Sequence, residues 1–178
     1  MEGHRSHVAA LSAVDDGSIE AISENGALYF DPDETMTREA WLTSLMKALG
    51  AGELSSCTTV FADSDEISSE CSGYVDAAWH LGIIRGTSEN GKLYFKPAEV
   101  VTRAEAAVML NRVLGAKGDD ALAVFSDTAS IPTWAVEDVS ALSAIGILNG
   151  NGGLMLPHGE LTRAQAAEIL YRAKNLYM

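Results

Sequence analysis

The sequence has only two cysteines among its 178 residues, Cys57 and Cys71. Two thiols cannot form the disulfide framework of a small secreted scaffold, and their spacing does not match that of metal ligands. They could close one loop outside the cell, or they could be two ordinary thiols in a core. The sequence therefore predicts neither a metal site nor a cofactor, and it leaves the disulfide open.

Long apolar runs and positive charge are also scarce. No stretch approaches the roughly 18 consecutive apolar residues of a membrane-spanning helix, and the first residues lack the apolar centre of a secretory leader. With 12 basic and 25 acidic residues, the formal net charge is −13. Such a charge disfavours nucleic acids and anionic membrane surfaces as partners. We therefore expect no nucleic-acid binding and no membrane insertion.

The strongest positive feature of the sequence is an internal repeat. VTRAEAAVML at 101–110 returns as LTRAQAAEIL at 161–170 and, less closely, as MTREAWLTSL at 36–45. SENGKLYFKP at 88–97 matches SENGALYFDP at 23–32 in the same way. Segments that recur along a chain at nearly constant intervals are typical of repeat architectures.

These matches predict one compact domain made of three repeats. Repeat 1 covers residues 1–56, repeat 2 covers 57–118 and repeat 3 covers 119–178. Repeats 2 and 3 begin with a Phe-x-Asp stretch, at Phe61 and Phe125, whose counterpart in repeat 1 would precede the first residue. We therefore interpret repeat 1 as degenerate or incomplete at its start.

Each repeat shows the same order of structural signals. A short extended piece precedes a first helix, which ends at Gly82 in repeat 2 and at Gly146 in repeat 3, because glycine suits a left-handed helix cap. A turn rich in Gly and Asn, a proline and a second helix follow. One such unit cannot bury both of its faces alone. We expect a mostly α fold in which three helix–loop–helix units pack together as a bundle.

The Thr-Arg stretch marks the beginning of the second helix. If Thr102 is the N-cap, Glu105 is the third helical residue and the two form a capping box. Thr162 and Gln165 form the same box in repeat 3. The primary role of these four residues is therefore expected to be structural.

Capping does not explain an arginine as the first helical residue, because a cation there opposes the helix dipole. Arg38, Arg103 and Arg163 nevertheless all take this position. One interpretation is an ion pair with an aspartate of the Phe-x-Asp stretches, Asp63 or Asp127. The other is an anion site, in which free helix amides and a guanidinium group bind one carboxylate or phosphate. The two interpretations are compatible.

The combined pattern F-x-D…L-G-I-I-x-G…L-Y-F-x-P…T-R-A-E-A-A resembles the S-layer homology domain. This module typically occurs in threes and attaches bacterial surface proteins to the cell envelope. The resemblance implies a pseudo-threefold, three-pronged bundle whose inter-repeat grooves bind secondary cell-wall polysaccharide, often through a pyruvylated N-acetylmannosamine. It also implies an extracellular location in the bacterial cell wall or S-layer, within a larger secreted surface protein.

The resemblance places the ligand at the Thr-Arg stretches and at the Gly-Ile-Ile-x-Gly turns. The candidate carbohydrate-binding residues are Arg38, Arg85, Gly86, Thr102, Arg103, Glu105, Gly150, Thr162, Arg163 and Gln165. Repeat 1 departs from the pattern, since it has Glu20 where repeat 2 has Arg85, and Ala21 in place of the second glycine. A carboxylate weakens an anion site, so we expect the best groove at repeat 2, with Arg85 and Arg103. Arg85 could equally be a solvated loop residue.

Three tryptophans could stack on a sugar ring. Trp41 takes a core position of its helix, whereas Trp79 could belong to the core or to a groove wall. Trp134 stands at the beginning of a helix, where exposure is expected, and is the better candidate for stacking.

No acid pair or catalytic triad is singled out by its spacing, so we expect no enzyme activity. Two other functions remain open at this stage. A peptidoglycan anchor of an outer-membrane protein is an alternative, because the acidic charge suits a cationic ligand better than a polyanion. The other alternative is a module for S-layer self-assembly, which would associate without any glycan.

Overall fold

The computed structural model describes residues 2–54, 60–118 and 121–177, so Cys57 and the question of its disulfide lie outside the described residues. The helices are α1 (Glu2–Asp15), α2 (Arg38–Ala48), α3 (Ser72–His80), α4 (Arg103–Leu114), α5 (Val136–Ala144) and α6 (Arg163–Tyr177). The predicted mostly α fold is confirmed. Within the described ranges, no helix combines the length and apolar character needed to cross a membrane.

Two short hairpins lie between the helices. Strand β1 (Ile22–Glu24) pairs with β2 (Ala27–Tyr29), and β3 (Thr87–Glu89) pairs with β4 (Lys92–Tyr94), both antiparallel. The Asn-Gly pair at each turn has positive φ, as a two-residue hairpin turn requires. The sequence analysis predicted these turns but missed their strands, although Asn-Gly is a strong hairpin signal.

The Phe-x-Asp stretches are not extended, contrary to the expectation. Each forms a turn that leads into a 3-10 helix, Ser64–Glu66 in repeat 2 and Thr128–Ser130 in repeat 3. Another 3-10 helix covers Ala121–Val124. The first helices end as predicted, because Gly82 and Gly146 have φ of 72° and 77°.

The second helices bury their apolar faces in one shared core. The nine residues at equivalent positions are at most 2% exposed: Trp41, Leu42 and Leu45 in α2, Ala106, Ala107 and Leu110 in α4, and Ala166, Ala167 and Leu170 in α6. Trp41 is thus a core residue, as predicted. Trp79 is half-buried and its ring lies edge-on to Phe61, with 5.4 Å between ring centroids.

A closed ring of backbone hydrogen bonds joins the three repeats just before their second helices. Met36 N donates to Leu161 O (2.8 Å), Leu161 N to Val101 O (3.0 Å) and Val101 N to Met36 O (3.0 Å). All three residues are at most 3% exposed. The ring brings the beginnings of α2, α4 and α6 together. It supports the predicted pseudo-threefold bundle, which stays an interpretation of these contacts.

Candidate functional site

The threonines cap the second helices in the predicted way. Thr102 Oγ1 accepts from Glu105 N (3.3 Å), and Glu105 Oε2 accepts from Thr102 N (2.9 Å), which completes the capping box of α4. The corresponding contacts between Thr162 and Gln165 are both 3.4 Å. In α2 only half of the box exists, since Thr37 accepts from the Ala40 amide.

The first amides of these helices are already occupied, which corrects the expectation of free amides for an anion. Arg38 N donates to Glu99 O (2.8 Å) and Glu39 N donates to Pro97 O (3.1 Å), both in repeat 2. The same backbone bonds, from an amide nitrogen to a carbonyl oxygen, exist in the other two repeats: Arg103 to Gly159, Ala104 to Pro157, Arg163 to Glu34 and Ala164 to Pro32. Because the neighbouring repeat satisfies these amides, only side chains are left to bind a ligand at the helix beginnings.

The three arginines anchor the repeats to one another through the nitrogen Nε. Arg38 Nε donates to Phe95 O at 3.0 Å, Arg103 Nε to Met155 O at 2.8 Å, and Arg163 Nε to Phe30 O at 2.6 Å. Each acceptor belongs to the next repeat in the cycle 1–2–3–1. The Arg38 and Arg163 guanidinium groups also lie over the rings of Phe95 and Phe30. An unfavourable charge at a helix beginning is therefore offset by contacts between repeats.

The aspartates act on the same turns as the arginines but do not contact them directly. Asp63 accepts from Phe95 N (2.9 Å) and Lys96 N (2.6 Å). Asp127 accepts from Met155 N and Leu156 N, both at 2.8 Å. Arg38 and Arg163 do form ion pairs, with Glu105 at 2.8 Å and with Glu34 at 3.7 Å. The suggested partners Asp63 and Asp127 are wrong, because the ion pairs found among the described residues join neither of them to an arginine.

These aspartates hold a strained piece of backbone. Lys96 and Leu156 have φ of 61° and 53°, and Asp31 at the equivalent position of repeat 1 has φ of 45°. A left-handed residue other than glycine costs free energy and persists only where its surroundings fix it. Here the aspartate holds the amides of the turn, and the arginine of the preceding repeat holds its carbonyl.

Three grooves lie between neighbouring repeats, beside the helix beginnings. Groove A is a cavity of about 180 Å³ lined by Arg38, Arg85, Gly86, Glu105, Arg112 and Trp134. Groove B is a cavity of about 450 Å³ lined by Arg103, Asn149, Gly150, Gln165, Glu168 and Arg172. Groove C is a cavity of about 330 Å³ lined by Glu20, Glu39, Thr43, Lys47, Glu70 and Arg163.

Arg85 and Arg103 lie in different grooves, so the expectation that they share one groove at repeat 2 is wrong. Each groove combines the helix beginning of one repeat with the glycine turn of the next. Arg85 consequently lies in groove A with Arg38, whereas Arg103 lies in groove B with Asn149. Sequence spacing locates residues within a repeat but does not say which neighbour completes the site.

The outer guanidinium nitrogens meet different partners in the three grooves. Arg38 NH1 forms an ion pair with Glu105 Oε1 at 2.8 Å. The residue equivalent to Glu105 is the neutral Gln165 in groove B and Ala40 in groove C. Arg103 forms no ion pair with any residue that the structure describes. Burial lowers the pKa of Arg103, and the charges of Asp127 and Glu168 oppose that shift.

Groove A is lined by two further arginines, Arg85 and Arg112. Arg112 donates to Ile83 O at 2.9 Å. Burial lowers the pKa of Arg112, the positive charge of Arg85 lowers it further, and Asp138 acts in the opposite direction. The sequence analysis missed Arg112 as a candidate, although a basic residue recurs at the same repeat position as Lys47 and Arg172.

The second glycines of the two turns have a structural role. Gly86 has φ of 66°, and a Cβ there would come within 2.6 Å of the Phe61 ring. Gly150 has φ of 67°, and its Cβ would come within 2.6 Å of Leu154 O. Ala21, at the equivalent position of repeat 1, is not among the residues with positive φ, so its Cβ is accepted there without that strain.

Trp134 lies on the wall of groove A and is 56% exposed. It comes from repeat 3, whereas the rest of the groove comes from repeats 1 and 2. Groove A thus contains residues from all three repeats. The predicted exposure of Trp134 is confirmed, while sugar stacking stays a prediction.

Comparison with known families decides what these repeats are. Residues 60–107 and 124–167, a little more than half of the chain, match the model of the S-layer homology domain. The chain belongs to the S-layer homology domain family. The match covers repeats 2 and 3, whose Phe-x-Asp stretches and glycine turns are complete. Repeat 1, where those features are missing, lies outside the matched residues.

Similar segments occur in much longer proteins. The chain is 28% identical over 150 residues to an amylopullulanase of Thermoanaerobacterium thermosulfurigenes, covering 80% of this chain and 8% of that protein. It is 32% identical over 96 residues to the S-layer protein sap of Bacillus anthracis, covering 53% and 11%. It is 27% identical over 164 residues to the S-layer protein EA1 of the same species, covering 87% and 18%.

The family and these relatives support a module that anchors proteins at the cell surface by contact with cell-wall polymers. The chain spans about a tenth of the length of the first curated relatives it matches. Enzyme-named and S-layer relatives share this short segment. The comparisons consequently indicate a cell-surface location.

Proposed function

We infer that this chain is a non-catalytic anchor that binds an anionic secondary cell-wall polysaccharide, carrying a pyruvylated sugar, in its inter-repeat grooves. The observation that carries this inference is that Arg85 and Arg112 both line groove A, a cavity of about 180 Å³. Two guanidinium groups on the wall of one small cavity favour an anion between or beside them. A pyruvate ketal provides one carboxylate on a sugar ring, which matches this demand.

The charges of the grooves indicate an order of preference. Groove A is lined by three arginines and one glutamate, and groove B by two arginines and one glutamate. Groove C is lined by two basic and three acidic side chains. An anionic sugar is therefore expected in groove A first and in groove B second.

Each side chain of groove A has a distinct part in binding. Arg85 and Arg112 supply donors for the carboxylate, and guanidinium groups suit two-point contacts with carboxylates. The ring of Trp134 offers an apolar face to the sugar. Arg38 acts mainly on the shape of the groove, because its Nε donates to Phe95 O and its NH1 donates to Glu105.

Anchoring to a wall requires only several weak contacts made together. Two grooves on one rigid chain can hold two sugars of the same polymer, so the second contact forms at a high effective concentration. Tight binding to a polymer then follows from modest affinity for a single sugar.

The direct test compares wall binding of two charge-matched variants. Arg85→Gln removes the positive charge of an exposed residue in groove A. Lys92→Gln removes the same charge from an exposed residue of β4 that lies outside the grooves. We expect Arg85→Gln to weaken binding by about 1.5–3 kcal/mol, as for a lost charged hydrogen bond, and Lys92→Gln to leave it unchanged. Equal affinities by calorimetry would contradict the inference.

A second candidate is peptidoglycan itself, which the net charge of −13 and the acidic groove C favour. Binding to cell walls, measured before and after removal of their non-peptidoglycan polymer, distinguishes the two functions. Loss of binding after extraction supports the polysaccharide. Retained binding that strengthens at low salt and ignores Arg85→Gln supports peptidoglycan.

A further inference from the structure

The glycine turn after the first helix of each repeat contains one position that differs in all three grooves. This position is Glu20 in groove C, Arg85 in groove A and Asn149 in groove B. Alignment of the repeats makes the three residues equivalent, at separations of 65 and 64 residues. Each residue lines its own groove, so the charge of its side chain is a direct difference between the grooves.

Glu20 engages both basic residues of groove C. Its carboxylate Oε1 lies 3.2 Å from Lys47 Nζ, and Lys47 is the equivalent of Arg112. Its backbone oxygen accepts from Arg163 NH2 at 2.6 Å. Glu20 thus pairs with the basic residue of groove C that corresponds to Arg112, and it also holds the guanidinium group at the helix beginning.

On the basis of the function inferred above, we propose that Glu20 keeps groove C closed to anionic sugars. Its carboxylate takes the place on Lys47 that a ligand carboxylate takes on Arg112 in groove A. Groove C is then a site of the same construction that carries its own substitute for the ligand.

Two further carboxylates reinforce this exclusion. Glu39 is equivalent to Ala104 and Ala164, and Glu70 is equivalent to Trp134. Both line groove C. An anion entering this groove would meet them as well as Glu20, so like-charge repulsion adds to the loss of the free cation.

The exclusion can be reversed without unfolding the chain. The Glu20 side chain is 76% exposed, so its ion pair with Lys47 contributes little to stability. Glu20→Arg gives groove C the charge that Arg85 gives groove A. Glu24→Arg is the matched control, because it makes the same charge change at an exposed residue of β1 outside the groove.

The experiment is an NMR titration of the full chain with pyruvylated N-acetylmannosamine, following backbone amides that line grooves A and C. In the wild type and in Glu24→Arg, we expect saturable shifts in groove A and none in groove C. In Glu20→Arg, or in Glu20→Arg combined with Glu39→Ala, we expect new saturable shifts at Thr43 and Lys47. Calorimetry should then show at least one additional site.

Three outcomes would overturn the proposal, and they differ in meaning. Groove C shifts in the wild type would show that Glu20 does not exclude the sugar. If groove C shows no shifts in either variant while groove A responds, only the role of Glu20 would be refuted, and the proposed function would stand. A silent groove A in the wild type would refute the proposed function and this inference with it.

Discussion

Grooves A and C have the same framework and opposite electrostatics. In both, an arginine at a helix beginning donates through Nε to a carbonyl of the next repeat, at 3.0 Å for Arg38 and 2.6 Å for Arg163. Groove A then presents Arg85, whereas groove C presents Glu20. The contacts that build the fold are therefore separate from the side chains that would choose a ligand.

This separation explains how repeats can diverge without losing their packing. The arginine anchor, the threonine cap and the backbone ring are shared by all three repeats. Most variable positions lie around the cavities, where a substitution changes charge but leaves the arginine–carbonyl contacts and the backbone ring in place. Repeat 1 can thus keep its structural part while its groove changes sign.

The largest difference in stability between repeats is expected at the second glycine of the glycine turn, which is Gly86 in repeat 2 and Ala21 in repeat 1. Gly86→Ala should destabilise the chain by about 2–4 kcal/mol, because it adds a Cβ within 2.6 Å of Phe61 at a positive φ. Ala21→Gly, the reverse change in repeat 1, should cost at most about 1 kcal/mol. Urea unfolding of both variants measures the difference. Similar losses would show that the two turns are packed alike.

The arginine anchors provide the next test, since two of them should differ in binding. Arg103→Ala should weaken polysaccharide binding by about 1.5–3 kcal/mol, because groove B loses one of its two arginines. Arg163→Ala removes the equivalent carbonyl contact in groove C and should leave binding unchanged. Both should lower stability, Arg163→Ala the more, because Arg163 also lies over the Phe30 ring and donates to Glu20 O.

Calorimetry on folded variants, with urea unfolding alongside, separates the two effects of these arginines. Unchanged affinity in Arg103→Ala would exclude groove B as a site. An equal loss of affinity in Arg163→Ala would mean that the arginines act on binding only through the fold.

The sequence predicted the local features of this structure but not the contacts between repeats. The helix positions, the Thr102–Glu105 capping box and the left-handed glycines follow from residues a few positions apart. The bond from Arg103 to Met155 joins residues 52 positions apart, and the acceptor is a backbone oxygen that any residue carries. No sequence pattern marks such an acceptor. This is why the ion-pair hypothesis chose the aspartates instead.

The grooves show the same limit. Arg85 and Arg103 were placed in one groove because they belong to one repeat, but each groove is completed by the neighbouring repeat. Arg112 was missed because it stands in the last turn of a helix, away from the Thr-Arg stretch. Its equivalents Lys47 and Arg172 would have identified it, had the basic residues been aligned across repeats.

Trp134 offers a smaller difference between the grooves. Its equivalent in groove C is Glu70, which cannot stack on a sugar. We expect Trp134→Ala to weaken sugar binding by about 0.5–1.5 kcal/mol, and Trp134→Phe to retain most of the affinity. Quenching of tryptophan fluorescence on titration with the sugar should disappear in both variants. Full affinity in Trp134→Ala would assign the ring to another contact.

The smallest effect is expected at Asp127, which has no counterpart in the sequence of repeat 1. Partial burial alone would raise the pKa of Asp127, but hydrogen bonds from the Met155 and Leu156 amides outweigh this and lower the pKa from its usual 3.8. The folded state therefore favours the ionised carboxylate more than the unfolded state does. The resulting stability is complete above the unfolded-state pKa and is lost as pH falls through the lowered value.

Urea midpoints measured from pH 6 down to pH 3 test this dependence. The wild type should lose stability over the acid end of the range, and Asp127→Asn should begin less stable and lose less. The protection factor of the Leu156 amide against hydrogen exchange should fall on acidification, while that of Asp31, the equivalent residue of repeat 1, should not. Equal acid sensitivity of the two turns would mean that the aspartate does not hold the strained backbone, and that repeats 1 and 3 keep this turn by the arginine contact alone.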